Sequence, residues 1–168
     1  MGHRPDGCLN RLSGVGVLMP AALVTGGGAR LGRAMALYLA DRGYDVAVHY
    51  NSSADAAEAV VAEIEGKGRK AVALGADLLS EDETARLVPE ATARLGQPLT
   101  VLVNNASIFE YDTIETATLE SWDRHIGSNL RAPFVLTQAF AAQVPDASID
   151  DMGEPVASGL VINMIDQR

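Results

Sequence analysis

The chain carries its chemistry-capable residues in a few short clusters. The first is Thr25-Gly26-Gly27-Gly28-Ala29-Arg30-Leu31-Gly32. Small residues let a backbone approach a diphosphate, and free N–H groups at a helix start favour its negative charge. Glycines alone fit any tight turn. Between a predicted strand and a predicted helix, inside a βαβ unit, they point to a dinucleotide. The second cluster, His49-Tyr50-Asn51-Ser52-Ser53, closes the next predicted strand. An acid at that end would bind the ribose 2′-hydroxyl of NAD. Asp45 has about the right spacing but precedes Val46-Ala47-Val48, so it lies at the wrong end. Arg30 with Asn51, Ser52 and Ser53 can receive a 2′-phosphate without like-charge repulsion, so NADP(H) is the expected cofactor. Capping of the following helix is the plain alternative for the same polar residues.

Further clusters, Asn104-Asn105-Ala106-Ser107-Ile108-Phe109 and Asn163-Met164-Ile165-Asp166, follow two later strands. An acid whose pKa is raised by burial can relay a proton. A phenyl ring offers a flat face to a planar substrate, and the Ser107 hydroxyl can bond cofactor or substrate. Taken singly, Phe109 also fits loop packing and Asp166 a surface position. His3, His49, His125 and Cys8 fall in different predicted elements without metal-ligand spacing, and no G-x-S-x-G setting exists for a serine nucleophile, so neither metal nor covalent chemistry is expected.

These clusters must be positioned by alternating strands and helices. Strands are predicted at 21–25, 45–50, 70–76, 99–104 and 159–165. Helices are predicted at 30–42, with Gly43 closing it, at 54–67 with Ala57, Val60, Val61 and Ile64 on one face, and at 80–95, where Ser80 and Glu83 have capping-box spacing. A long helix at 119–143 has a possible disturbance at Pro133, and 146–154, with four acids and no base, reads as a solvated loop. Strands that are almost continuously apolar indicate a parallel sheet covered on both faces. The expected fold is α/β, a Rossmann-like doubly wound parallel sheet with helices on both faces. Residues 1–18 read as a flexible extension and 19–168 as an NADP-binding domain, with Met19 a candidate natural start.

Composition bounds the partners. The chain has 168 residues, 13 Lys plus Arg against 22 Asp plus Glu, a net charge of −9 and 48% hydrophobic residues. That size and apolar content fit one globular domain, and the acidic balance argues against nucleic acid. A single cysteine, Cys8, excludes an internal disulfide framework. No apolar run approaches the ~20 residues of a bilayer span, and glycines interrupt the faint signal-like stretch at 12–19, so a cytoplasmic protein without a membrane partner is expected.

The ordered motifs resemble the short-chain dehydrogenase/reductase family over about 21–168. Thr25–Gly32 is similar to its cofactor turn, Asp77 to its adenine contact, Asn104-Asn105-Ala106 to its Asn-Asn-Ala segment and Asn129 to the asparagine of its catalytic tetrad. Three departures resemble the pteridine reductase and dihydromonapterin reductase branch: Arg30 for the middle glycine, Ser107 with Phe109 after Asn-Asn-Ala, and Asp166 where a serine is usual. The resemblance implies Arg30 near the phosphates and pterin, Phe109 stacking the pterin, Asp166 in the catalytic group, and a homo-oligomer. Thr25, Gly26, Gly28, Arg30, Leu31, Gly32, Asn51, Ser52, Ser53, Asp77, Asn105, Ala106 and Ser107 are the expected cofactor set, and Phe109, Arg30 and Asp166 the substrate set.

The resemblance also implies a Tyr-x-x-x-Lys pair after Asp166, whereas the sequence ends at Arg168. Tyr38, Tyr44, Tyr50 and Tyr111 do not replace it, because none combines the right place with a lysine four residues on. A C-terminally incomplete reductase is therefore expected, ahead of a non-catalytic NADP-binding remnant. The expected reaction is hydride transfer from NADPH to a dihydropterin, with an ordinary ketone such as a 3-oxoacyl thioester as the alternative substrate.

Overall fold

The first four predicted strands lie where their apolar runs are buried, and the last, Leu160–Asn163, is largely exposed. In the computed structural model, which describes residues 20–165, the strands β1 (Ala21–Val24), β2 (Asp45–Tyr50), β3 (Ala71–Gly75) and β4 (Val101–Asn104) alternate with helices α1 (Arg30–Asp41), α2 (Ala54–Gly66) and α3 (Glu81–Leu95). The expected extension 1–18 and the Met19 start lie outside the described residues. After β4 come α4 (Leu119–Ile126), a π-helical segment at Gly127–Arg131, and α5 (Ala132–Ala141). A two-strand hairpin, β5 (Ser148–Ile149) with β6 (Pro155–Val156), precedes β7 (Leu160–Asn163).

The main sheet has the order β3-β2-β1-β4-β7, and every pairing in it is parallel. Alternation along β1 divides the core into two layers. Ala21 and Leu23 face α3 and α5, where Leu87, Val88, Ala91, Leu136 and Phe140 are buried. Ala22 and Val24 face α1 and α2, where Ala36, Ala40, Val60 and Ile64 are buried. Truncating a fully buried leucine such as Leu23 or Leu102 would cost roughly 2–5 kcal/mol. The strand order reverses between β1 and β4. Loops leave these two strands in opposite directions, which opens a crevice beyond their C-terminal ends.

Two sequence expectations are corrected. The long helix is disturbed at 127–131, before Pro133, and Pro133 sits in the first turn of α5, where its missing N–H is harmless. The acidic 146–154 segment contains β5, not loop alone, because Asp150 accepts from the N–H groups of Met152 and Glu154 and closes a hairpin turn. The Ser80–Glu83 signal is half right. Ser80 accepts from the Glu83 N–H, but the Glu83 carboxylate turns to the Asp77 N–H.

Candidate active site

The glycine turn is held from behind by side chains. The Thr25 hydroxyl accepts from the N–H groups of Asn105 (2.9 Å) and Ala106 (3.0 Å) and donates to the Val103 carbonyl (3.3 Å). Asn105 Nδ2 donates back to the Thr25 carbonyl at 2.9 Å. These bonds join the ends of β1 and β4 at the crevice floor. Gly26, with φ of +63°, directs its N–H to Nδ1 of His49 at 3.1 Å, and Nε2 of His49 donates to the Ala76 carbonyl at 3.0 Å. Burial pushes the His49 imidazole below its ordinary pKa, partly opposed by that carbonyl. A Cβ on Gly32 would lie 2.2 Å from the Gly26 carbonyl oxygen, so glycine is required where α1 crosses the turn.

The start of α1 is left open. Ala29 caps it without a side-chain hydrogen bond, and no acid occupies its first turn. N–H groups in that arrangement suit a phosphate. Arg30 is exposed and adopts φ of +47°, the left-handed region normally taken by glycine. Leu31 is 54% exposed at the crevice. Asn51, Ser52 and Ser53 are exposed at the end of β2, and Ser53 makes no side-chain cap bond to α2, so the capping role is not taken up. A small hollow of about 90 Å³ beside them is lined by Asn51, Asp77, Leu78 and Ala106. One Asp77 carboxylate oxygen accepts from the Leu79 N–H at 2.9 Å.

The central crevice, about 570 Å³, is lined by Leu31, Asn105, Ser107, Phe109, Met164 and Ile165 among others. Phe109 is 70% exposed. Asn129, in the π-helical segment, accepts from the Ile108 N–H at 2.9 Å and donates to the Ile108 carbonyl at 2.8 Å. At the adjoining strand ends, Asn104 Nδ2 donates to Asn163 Oδ1 at 2.8 Å, while the buried Asn104 Oδ1 has no donor.

The expected residues therefore gather at one edge of the sheet, in different roles. Gly26, Gly28, Arg30, Leu31, Asn51, Ser52, Ser53, Asp77, Ala106 and Ser107 surround the turn and its hollows. Thr25 is buried, and its side chain, like that of Asn105 and the bare Cα of Gly32, serves the protein's own backbone. Asp166 lies outside the described residues. Sequence reasoning missed the supporting role of His49, having weighed it only as a metal ligand. A histidine inside the otherwise apolar Val46-Ala47-Val48 run was the available signal, since a buried polar group needs partners.

Comparison with known proteins agrees with this architecture. The family model for short chain dehydrogenases matches residues 20–154. The 3-oxoacyl-[acyl-carrier-protein] reductase FabG of Staphylococcus epidermidis is 40% identical over 124 residues, covering 74% of this chain and 50% of that protein. Among solved structures, FolM alternative dihydrofolate reductase 1 from Brucella suis, in complex with NADP, is 36% identical with a TM-score of 0.78, over 89% of this chain and 58% of that one. A short chain dehydrogenase from Burkholderia cenocepacia J2315, also in complex with NADP, is 40% identical with a TM-score of 0.73, over 76% of this chain and 51% of that one. The chain spans about half the length of the curated relatives it matches. With the reversing parallel sheet, the glycine turn and a family match over most of its length, this chain belongs to the short-chain dehydrogenase family.

Proposed function

We propose that this chain is the cofactor-binding part of an NADPH-dependent short-chain reductase whose substrate is a pteridine of the dihydropterin type. The observation that carries the reading is Phe109, a ring 70% exposed at the mouth of the crevice. A flat heterocycle covering it would remove that apolar face from water and add a stacking gain of ~0.5–1.5 kcal/mol. The NADP-bound FolM relative lends support.

The open start of α1 would hold the cofactor diphosphate, and Arg30 with Asn51, Ser52 and Ser53 the 2′-phosphate. Asp77 would accept from the adenine amine. NADPH, when bound, supplies a hydride to the carbon of a C=N bond. Asp166 would deliver the proton to the nitrogen if burial keeps it protonated, while Asn129 fixes the Ile108 backbone at the crevice edge. The setting would be cytoplasmic, with a small-molecule substrate and neither nucleic acid nor membrane as partner. A homo-oligomer would form on the exposed stripe Leu119, Trp122, Ile126, Leu130 and Phe134, which sedimentation can test.

Reduction of a 3-oxoacyl thioester is the second reading, favoured by the 40% identity to FabG. Asp166 counts against it, standing where the resemblance to the wider family implies a serine. NADPH oxidation by the full chain, followed by absorbance with a dihydropteridine and with a 3-oxoacyl thioester, decides. Turnover with the pteridine supports the reading, and turnover with the thioester alone overturns it. NADPH binding without turnover of either would make the protein a binding module.

A further inference from the structure

We propose that His125 is a positioning residue for the substrate face, which with Asn129 pins the backbone on both sides of Phe109 and so aims the phenyl ring at the crevice. This rests on the reading of Phe109 as the surface that stacks the substrate. The ring is 70% exposed, so its own packing cannot orient it. Its neighbours do. Ile108 is held through both its N–H and its carbonyl by the Asn129 amide, at 2.9 and 2.8 Å. Glu110 is held by His125, whose Nε2 lies 3.0 Å from the Glu110 N–H.

The donor and acceptor roles at His125 follow from its other nitrogen. Nδ1 lies 2.7 Å from the Ser121 carbonyl oxygen, which can only accept, so Nδ1 carries the proton and Nε2 presents a lone pair. His125 and Asn129 are four residues apart and share a helix face. One face of one helical element thus grips residues 108 and 110, leaving Phe109 little freedom beyond its side-chain rotamer. The Arg124–Glu110 ion pair, at 2.8 Å with side chains 43% and 38% exposed, adds a weak tether at the same point. Residues 111–120, which follow, are all exposed. Without the His125 bond, the ring would stand at the start of a long surface segment anchored on one side only.

The test uses the full chain and compares wild type, His125→Leu, His125→Gln, Phe109→Ala and the Leu/Ala double variant. His125→Leu should raise KM for a dihydropteridine about fivefold, equal to about 1 kcal/mol, with kcat and NADPH affinity nearly unchanged and faster hydrogen exchange at the Glu110 amide. His125→Gln, whose distal oxygen can accept in place of Nε2, should restore both values. In the Phe109→Ala background the His125→Leu effect on KM should vanish, because there is no ring left to aim. A KM unmoved by His125→Leu, or moved equally in both backgrounds, overturns the proposal. Should the Leu variant not fold, His125→Ala takes its place with the same expectations. If Phe109→Ala alone leaves KM unchanged, the stacking reading fails and the aiming role falls with it. Slow Glu110 exchange lost in His125→Leu would then show that the tether exists but serves only the loop. Unchanged KM in His125→Leu beside a raised KM in Phe109→Ala sinks the His125 role alone.

Discussion

The two banks of the crevice are built differently. On the β1–β2 bank, each side chain that shapes the glycine turn is buried and makes two or more bonds: Thr25 to the β4 end, and His49 to Gly26 and Ala76. On the β4–β7 bank, the ring and the segment beyond it are exposed and hang from Asn129 and His125. A dinucleotide is the same molecule for every enzyme that uses it, so its bank can be rigid. A substrate bank set on a few exposed hydrogen bonds can change its specificity without disturbing the fold.

The sharpest way to break this contrast is Gly32→Ala. Its Cβ would meet the Gly26 carbonyl oxygen at 2.2 Å, and the turn cannot retreat without losing its bonds. A loss of about 4 kcal/mol in unfolding free energy is expected, with NADPH binding abolished. Chemical denaturation and a fluorescence titration measure both. Thr25→Val keeps the shape but strands the Asn105 and Ala106 N–H groups beneath the turn. About 3 kcal/mol should be lost, from ~1–3 kcal/mol per orphaned group.

A smaller effect comes from pH. Burial holds the His49 pKa below its ordinary 6.5. As pH falls through that value, the unfolded chain takes up a proton that the folded one refuses, so stability declines, by up to ~1.4 kcal/mol per pH unit within the window. Denaturation curves on either side of that pH should show the slope in wild type and lose most of it in His49→Asn. The smallest effect belongs to the other bank. Phe109→Ala should change stability by less than ~0.5 kcal/mol. A melting temperature that drops as far as in Thr25→Val would remove the contrast between the banks.

Much of the rigid bank was legible in the sequence. Continuous apolar runs at Ala21–Val24 and Val46–Val48 fix two-sided burial, and the turn's glycines announce close approaches. What stayed hidden were the partners of polar side chains. Thr25 reads as a ligand contact until its hydroxyl is seen bonded to two backbone N–H groups 80 and 81 residues away. His125 reads as an ordinary helix residue because its partner, Glu110, lies in a segment with no periodicity to place it. The disturbance in the long helix was expected at the proline, the usual cause, whereas Pro133 sits harmlessly in a first turn and the widened ladder begins at Gly127.

That widened ladder bears on insertions and deletions rather than substitutions. The Ala132 N–H reaches back to the Gly127 carbonyl, so this stretch accommodates one residue more than a regular helix would. Deleting a residue within 127–131 would let the helix heal into an uninterrupted rod. Because the wide turn already absorbs the extra residue, the helix on either side of the cut would keep its facing. Leu136 and Phe140 would stay in the core against α3 and His125 beside Glu110, while Asn129 would lose the widened backbone that carries its amide to Ile108. The widened turn therefore presents one extra residue at the crevice without disturbing the core, whereas the same deletion in a regular turn of α5 would swing the residues beyond it by about 100°.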